Sequence, residues 1–276
     1  MLKQRVMTAI VLFIVILAVV FLLPPLLFEI FIALVIGTAV WEWSRLAGLD
    51  ALPHRVLFLL LTALLFAVIT HAPVAKNVVF VTGALFWVMA LVLVCCYPAG
   101  KSVWAHRPGL FLITLPLFLP GWLAFMTLRQ QPYFAFHVLT LMGLVAAADS
   151  GAYFAGRAFG RHKLAPDVSP NKTWEGFFGG MLACCLLTVI LALTLISQVT
   201  DLEAMHWLKL LLGAMLIAGT SVVGDLFESM AKRFRDIKDS GTILPGHGGM
   251  LDRIDGLTAA APLYALLSIN LQQDFL

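Results

Sequence analysis

Long apolar runs, broken by short charged stretches, recur along the whole chain. A helix that crosses a bilayer needs about 20 mostly apolar residues. Nine stretches approach or meet that need: 6–23, 26–43, 56–70, 78–97 and 110–128, then 136–155, 177–197, 208–227 and 254–271. The pattern predicts an all-α, polytopic membrane protein with about nine transmembrane helices. Pro24-Pro25 predicts a very tight first turn, because proline ends a helix and restrains the residue before it. Trp41, Trp43, Trp104, Trp174 and Trp207 fall near the expected span ends, where aromatic belts sit. The first run follows Lys3 and Arg5, is long for a signal peptide and ends without an A-x-A-like cleavage site, so it reads as a retained first span.

Composition agrees. Of 276 residues, 61% are hydrophobic and 12% charged, against about 25% charged in a soluble domain. The mean hydropathy of +0.98 excludes an ordinary soluble helical core. The four cysteines form two adjacent pairs, Cys95-Cys96 and Cys184-Cys185, each inside an apolar run and without metal-ligand or redox spacing. They read as packing residues. The net charge of +3 says little, but its placement says more. With the N-terminus in the cytoplasm and spans alternating, only Lys76, Arg129 and Lys209 fall outside, so 15 of the 18 Lys and Arg residues lie inside. Nine spans then put the C-terminus outside. Residues 1–276 read as one membrane domain. Spans 1–5, within residues 1–130, read mainly as scaffold, with Glu29 and Glu42 as their only acids. Spans 6–9 and their cytoplasmic loops, residues 131–276, read as the working part. The richest loops are 156–176 and 228–253.

Asp149 and Asp225 end the sixth and eighth runs among small residues. An acid at membrane depth costs a few kcal/mol or more and usually faces a cavity, a cation or the bundle interior. Ser221 and Asp225 share a helix face at i, i+4. Asp252 and Asp255, at i, i+3, share a face if they open the ninth helix. At that N-terminus they serve either as capping acids for the helix dipole or, with Asp225, as oxygen ligands for a hard cation. Lys232, Arg233, Arg235 and Lys238 put four cations into seven residues, which suits anionic headgroups or a phosphate ligand. Pro245-Gly246-His247-Gly248-Gly249 adds a tight turn whose backbone N–H groups can nest an anion. Phosphate-binding groups beside metal-binding acids suit phosphoryl or nucleotidyl transfer. The loop 156–176 repeats the theme with Arg157, Arg161, His162, Lys163 and Lys172. In it, Ser169 to Thr173 reads as a turn, Thr173 as an N-cap and Glu175 as a first-turn acid.

The stretch from Ser229 to Asp255 resembles the signature of the phosphatidate cytidylyltransferases, or CDP-diacylglycerol synthases. It matches at Ser229, Lys232, Arg233, Lys238, Asp239, Pro245 to Gly249, Asp252, Arg253 and Asp255. The segment Ser169 to Gly176, SPNKTWEG, is also similar to the family. The resemblance implies an Mg²⁺-dependent nucleotidyltransferase of phospholipid biosynthesis, with a second cation left open. CTP and phosphatidic acid would give CDP-diacylglycerol and pyrophosphate. It implies metal ligation by Asp225, Asp252 and Asp255, with Asp149 as a further candidate. It implies phosphate neutralisation by Lys232, Arg233, Lys238 and Arg253, with His247 either on phosphate or shaping the turn. Ser169, Asn171, Lys172, Gly246, Gly248 and Gly249 would assist in holding the nucleotide. The implied partners are CTP, phosphatidic acid, membrane lipids and a second copy in a homodimer, with no nucleic acid. The implied location is a bacterial inner membrane, with the active site on the cytoplasmic side. A cation- or proton-coupled transporter is the alternative that intramembrane acids allow. The D-G-x-x-A-R signature of CDP-alcohol phosphotransferases is absent after Asp255-Gly256, and so is a G-x-x-x-x-G-K-[ST] phosphate loop.

Overall fold

A computed structural model describes residues 2–72, 76–99, 107–196, 202–246 and 248–275. Among them the chain is almost entirely helical. The first five helices are α1 (Leu2–Leu22), α2 (Pro25–Leu46), α3 (Leu52–His71), α4 (Lys76–Cys95) and α5 (Arg107–Arg129). The last four are α6 (Phe134–Phe159), α7 (Trp174–Thr194), α8 (Ala204–Phe234) and α9 (Leu251–Phe275). Every predicted span coincides with one of these. Seven of them, α2 to α8, are long and apolar enough to cross a membrane. The described apolar part of α1, Val6–Leu22, is shorter than that measure, and α9 opens on Asp252, Arg253 and Asp255. Pro24 is extended (φ −64°, ψ 161°) and Pro25 starts α2, as the double proline predicts.

Two local readings need correction. Ser169 to Thr173 is not a turn. It is strand β2 (Ser169–Thr173), paired antiparallel with β1 (Lys163–Ala165), with Lys163 opposite Thr173 and Ala165 opposite Ser169. An extended Pro170 suits a two-stranded ribbon, where a missing N–H is harmless on an outer edge. The loop expected from residue 228 also starts later, since α8 runs to Phe234 and carries Ser229, Lys232 and Arg233 on helix. Asp236 stops it in the left-handed region (φ 54°), where the Ile237 N–H reaches the Lys232 carbonyl at 3.1 Å.

The aromatic belt reading fails for Trp43. Its side chain is completely buried, stacked on Phe227 of α8 at 6.2 Å and edge-on to Phe118 of α5 at 6.3 Å. Its indole N–H donates to the Leu110 carbonyl at 3.2 Å, so the polar end of a buried tryptophan is satisfied. Trp174 does stay exposed near the start of α7, and Trp104 lies outside the described residues. Outward faces are apolar, as lipid contact requires: α3 buries only Phe58 and Thr62. Cys184 is buried, with its thiol on the Leu144 carbonyl, and all four cysteines are unbridged.

Small residues set the tightest helix contacts. A Cβ on Gly151 of α6 would lie 2.6 Å from the Ala183 Cβ of α7, and one on Gly180 of α7 would lie 2.6 Å from the Ala148 carbonyl oxygen. Neither contact tolerates a larger side chain, and close backbone approach is how helices associate in lipid. Replacing Gly180 by Leu is therefore expected to cost at least about 1–3 kcal/mol of stability. Thermal unfolding in detergent checks this, and an unchanged midpoint would show that α6 and α7 are not held by this contact.

Candidate functional site

The site forms where α8, the loop 235–250 and the first turns of α9 meet the C-terminal end of α2. The close crossing of α8 and α9 comes from Gly224, where an added Cβ would collide with the Asp255 carbonyl and lie 3.0 Å from the Ala259 Cβ. That crossing brings Asp225 and Glu228 of α8 beside Asp255 of α9.

Asp252 is the hub of the loop. Its Oδ1 accepts from Lys232 Nζ at 2.6 Å. Its Oδ2 accepts from the Ser240 N–H at 3.0 Å and from the Gly249 N–H at 2.8 Å, and the Ser240 hydroxyl, also 3.0 Å away, shares its one proton between this oxygen and Glu42. The donors from Lys232, Gly249 and Ser240 offset the burial of this carboxylate. Lys232 is shared: its Nζ also meets Glu228 Oε2 at 3.1 Å, one helical turn away. The turn before α9 has the predicted glycine chemistry. Gly246 (φ 76°) and Gly248 (φ 81°) both occupy the region that favours glycine, and the Leu244 N–H donates to the Gly248 carbonyl at 2.9 Å. His247 lies outside the described residues.

Glu42 ties the N-terminal spans to this loop. This carboxylate of α2 is 2% exposed. It accepts from Ser240 Oγ at 3.0 Å, from the Met250 N–H at 3.1 Å and from the Leu251 N–H at 2.8 Å. The cap on α9 is therefore a carboxylate from another helix, and Asp252 turns back to the loop instead of capping. The two bare glycines around it have a purpose. A Cβ on Gly241 or on Gly249 would run into Glu42, and on Gly249 into Ser240 as well.

Asp225 is more accessible. Its Oδ2 pairs with Lys172 of β2 at 2.7 Å, and its Oδ1 accepts from Ser229 Oγ at 3.2 Å. The hairpin is thus tied to α8, and Arg233 adds a second tie, Nε to the Val168 carbonyl at 3.2 Å. The predicted Thr173 cap is present, since Oγ1 accepts from the Gly176 N–H at 3.2 Å. Glu175 accepts from the Arg161 and His162 N–H groups and pairs with the His162 ring at 2.6 Å, which fixes the hairpin base. Asp149 stays exposed on α6, within electrostatic range of Asp225, Lys172 and Arg253. Lys238, Arg253, Asn171 and Gly246 are exposed around the site. Ser169 and Gly248 are partly buried, and Gly249 is buried.

Glu228 and Asp255 remain electrostatically incomplete. Glu228 lies against Asp255, and Asp225 lies within electrostatic range of Asp255. Among the described residues, Glu228 Oε1 and Ser221 Oγ are buried without a hydrogen-bond partner. Adjacent buried carboxylates need a proton or a cation between them, and an all-oxygen donor set suits a hard divalent ion. So the residues fit a cation, although among the described residues no three His, Cys, Asp or Glu side chains converge as a ready-made metal site. Asp252, with both oxygens occupied, could join only by releasing Lys232.

With this geometry in place, comparison with known proteins is direct. The cytidylyltransferase family model matches residues 3–270. A phosphatidate cytidylyltransferase of Pseudomonas aeruginosa is 43% identical over 267 residues, covering 97% of each chain. One from Haemophilus influenzae is 37% identical over 287 residues, covering 96% of this chain and 98% of its own. One from Bacillus subtilis is 44% identical over 127 residues, or 46% of this chain. The chain belongs to the cytidylyltransferase family.

Glu42 and Glu228 were missed in the sequence. The rule that flags Asp149 and Asp225 applies equally to Glu42, a lone acid at the end of an apolar run. Glu228 sits three residues after Asp225 and four before Lys232, on their shared helix face. Replacing Glu42 by Ala leaves the Met250 and Leu251 N–H groups without their acceptor, while the Ser240 hydroxyl keeps Asp252. At about 1–3 kcal/mol for each unsatisfied buried donor, a loss of roughly 2 kcal/mol or more is expected. Glu42→Gln should lose less, since one amide oxygen remains to accept. Thermal unfolding of the two variants checks the order, and equal, small losses would remove Glu42 as the cap.

Proposed function

We propose that this protein is a phosphatidate cytidylyltransferase, transferring the cytidylyl group of CTP to phosphatidic acid in phospholipid synthesis. The observation that carries the reading is the convergence of Lys232, Ser240, Gly249 and Asp252, spread over the 27-residue signature from Ser229 to Asp255, into one cluster beside Glu228 and Asp255. The similarity to phosphatidate cytidylyltransferases over nearly the whole chain supports it. It also disfavours the transport alternative.

In this reading an oxygen of the lipid phosphate attacks the α-phosphorus of CTP. A new P–O bond forms, the bond from the α-phosphorus to the bridging oxygen breaks, and pyrophosphate leaves. The attacking phosphate is already anionic near neutral pH, so the residues have no proton to abstract. Their task is to gather three anionic groups and shield them from one another. The exposed cations Arg233, Lys238 and Arg253 do this at the surface of the cluster. Lys172 is available if it leaves Asp225, with Ser169 and Asn171 on the same strand. Lys232 is committed to Asp252 and Glu228, so its first role is to hold α8, the loop and α9 together. The N–H groups of Gly246 and Gly248 complete the phosphate contacts, since the Gly249 N–H is held by Asp252. Asp225 and Asp255 are the carboxylates that would hold Mg²⁺, with Glu228 and Ser221 beside them and Asp149 and Asp252 as outer candidates. When bound, Mg²⁺ supplies charge neutralisation and Lewis-acid polarisation at phosphate oxygens.

The charge asymmetry supports a cytoplasmic site: 15 of 18 cationic residues fall on its side if nine helices span a bacterial inner membrane. That count takes α1 and α9 as spans. A homodimer is the assembly that the family resemblance implies.

Purified protein in detergent should release pyrophosphate only when phosphatidic acid, CTP and Mg²⁺ are all present, and not when ATP replaces CTP. Asp225→Asn should lower turnover by about 100-fold or more, in the range seen when one transition-state contact is lost, while the unfolding midpoint stays close to that of the parent protein. Near-normal turnover would remove Asp225 from the site. No release from folded parent protein would overturn the reading.

A further inference from the structure

An apolar cavity of about 170 Å³ lies between α1, α2, α5, α6 and α9. Its course follows from the residues along it. At one end are Leu12 of α1 and Ile36 of α2, together with Leu244, Met250 and Arg253 of the signature region. At the other are Val20, Phe28 and Val138. From Leu12 to Val20 is eight residues, so the slot runs about 12 Å along the helix axes at 1.5 Å per residue. Arg253 is its single charged lining residue, and it stands at the signature end. A dry apolar cavity of about 150 Å³ is large enough to accept apolar guests.

The α1 wall is thin. Between Val6 and Leu22 only Val19 and Val20 of this helix are buried, and most of its other large side chains are exposed. Near its start, Thr8 Oγ1 donates to the Pro245 carbonyl at 3.0 Å, so the same helix touches the signature turn. One helix therefore walls the slot on its lipid side and is fastened to the phosphate-binding loop.

We propose that this slot holds an acyl chain of the phosphatidic acid substrate, with Arg253 at its mouth meeting the lipid phosphate and α1 forming the wall past which the chain enters. The proposal rests on the cytidylyltransferase reading above. The chemistry selects the occupant. A phosphate bearing long hydrocarbon tails matches an apolar channel that ends on a cation, whereas an uncharged core-filling side chain has no need of Arg253. A zwitterionic bulk lipid would lack the net anionic head.

Two measurements test it independently. In the first, the full chain in nanodiscs is irradiated with phosphatidic acid that carries a diazirine halfway along one acyl chain. Label is expected on slot residues such as Ile16, Phe31 and Val35. Unlabelled dioleoyl phosphatidic acid should remove it and dioleoyl phosphatidylcholine should not. Label spread over the outward faces of the helices, or competed equally by both lipids, overturns the proposal. This result needs no turnover, so it stands even if the cytidylyltransferase reading fails.

The second measurement uses Ile16→Trp and Val35→Phe, which fill the slot from two different helices. The ratio of kcat/KM for dioleoyl over dihexanoyl phosphatidic acid should fall about tenfold, the equivalent of losing roughly two buried methylenes. The KM for CTP should stay unchanged, and turnover of the short-chain lipid reports that each variant is folded. An unchanged ratio in both variants overturns the proposal.

Discussion

A carboxylate sealed inside a helix bundle must be given donors, and the arrangement around Glu42 follows from that constraint. Its two oxygens collect the Ser240 hydroxyl and the Met250 and Leu251 amides at the start of α9. Those amides carry part of the positive end of the α9 dipole, so the charge is met by the groups best suited to it. Ser240 then passes the order on, since its N–H and hydroxyl both reach Asp252, and Asp252 holds Lys232. The chain of contacts runs from α2 through the loop to α9 and on to α8. Removing Glu42 would leave the start of α9 without an acceptor and Asp252 without a fixed neighbour. The N-terminal half is therefore part of the site's foundation and not only its surroundings.

The apolar packing serves the same end. Trp43 is next to Glu42 in sequence and so points about 100° round the helix from it, packed between Phe118 and Phe227. Phe227 in turn neighbours Glu228, which meets Lys232. Burial of Trp43 and Phe227 fixes the rotation of α2 and α8, and that rotation decides where Glu42 and Glu228 point. Aromatic contacts of this kind are worth about 0.5–1.5 kcal/mol beyond their buried area. Here their larger effect is on geometry, because a small rotation of either helix would carry a carboxylate away from its donors.

Much of this could be read in the chain, and the limits have a physical cause. The helices were legible because a bilayer enforces long apolar runs, and the tight α1–α2 turn because proline has one local meaning. The signature region was legible because its glycines, acids and cations are close in sequence. Thr173 announced its cap in the same way. The β1–β2 hairpin was not legible, since Ser169 to Thr173 has no alternating apolar face and its pairing depends on the anchored base at Glu175. Trp43 was misplaced because position near a span end cannot tell a headgroup contact from a core. Glu42 was undervalued because its partners lie about 200 residues away, and no local pattern carries a contact of that range.

The carboxylates divide into two kinds by how completely they are satisfied. Glu42 and Asp252 have their oxygens filled by backbone amides, Ser240 and Lys232. Such groups hold a structure, because displacing any one donor leaves a buried charge exposed to a low dielectric. Asp225, Glu228 and Asp255 differ. Asp225 leans on a lysine from a hairpin that could release it, and Glu228 and Asp255 face one another with an oxygen unpaired. Two adjacent carboxylates of this kind need a proton or a cation between them. In the proposed reading the satisfied set fixes the backbone, and the unsatisfied set beside it would hold the ion and the phosphates that follow it. That contrast within one small region is the physical argument for catalysis here.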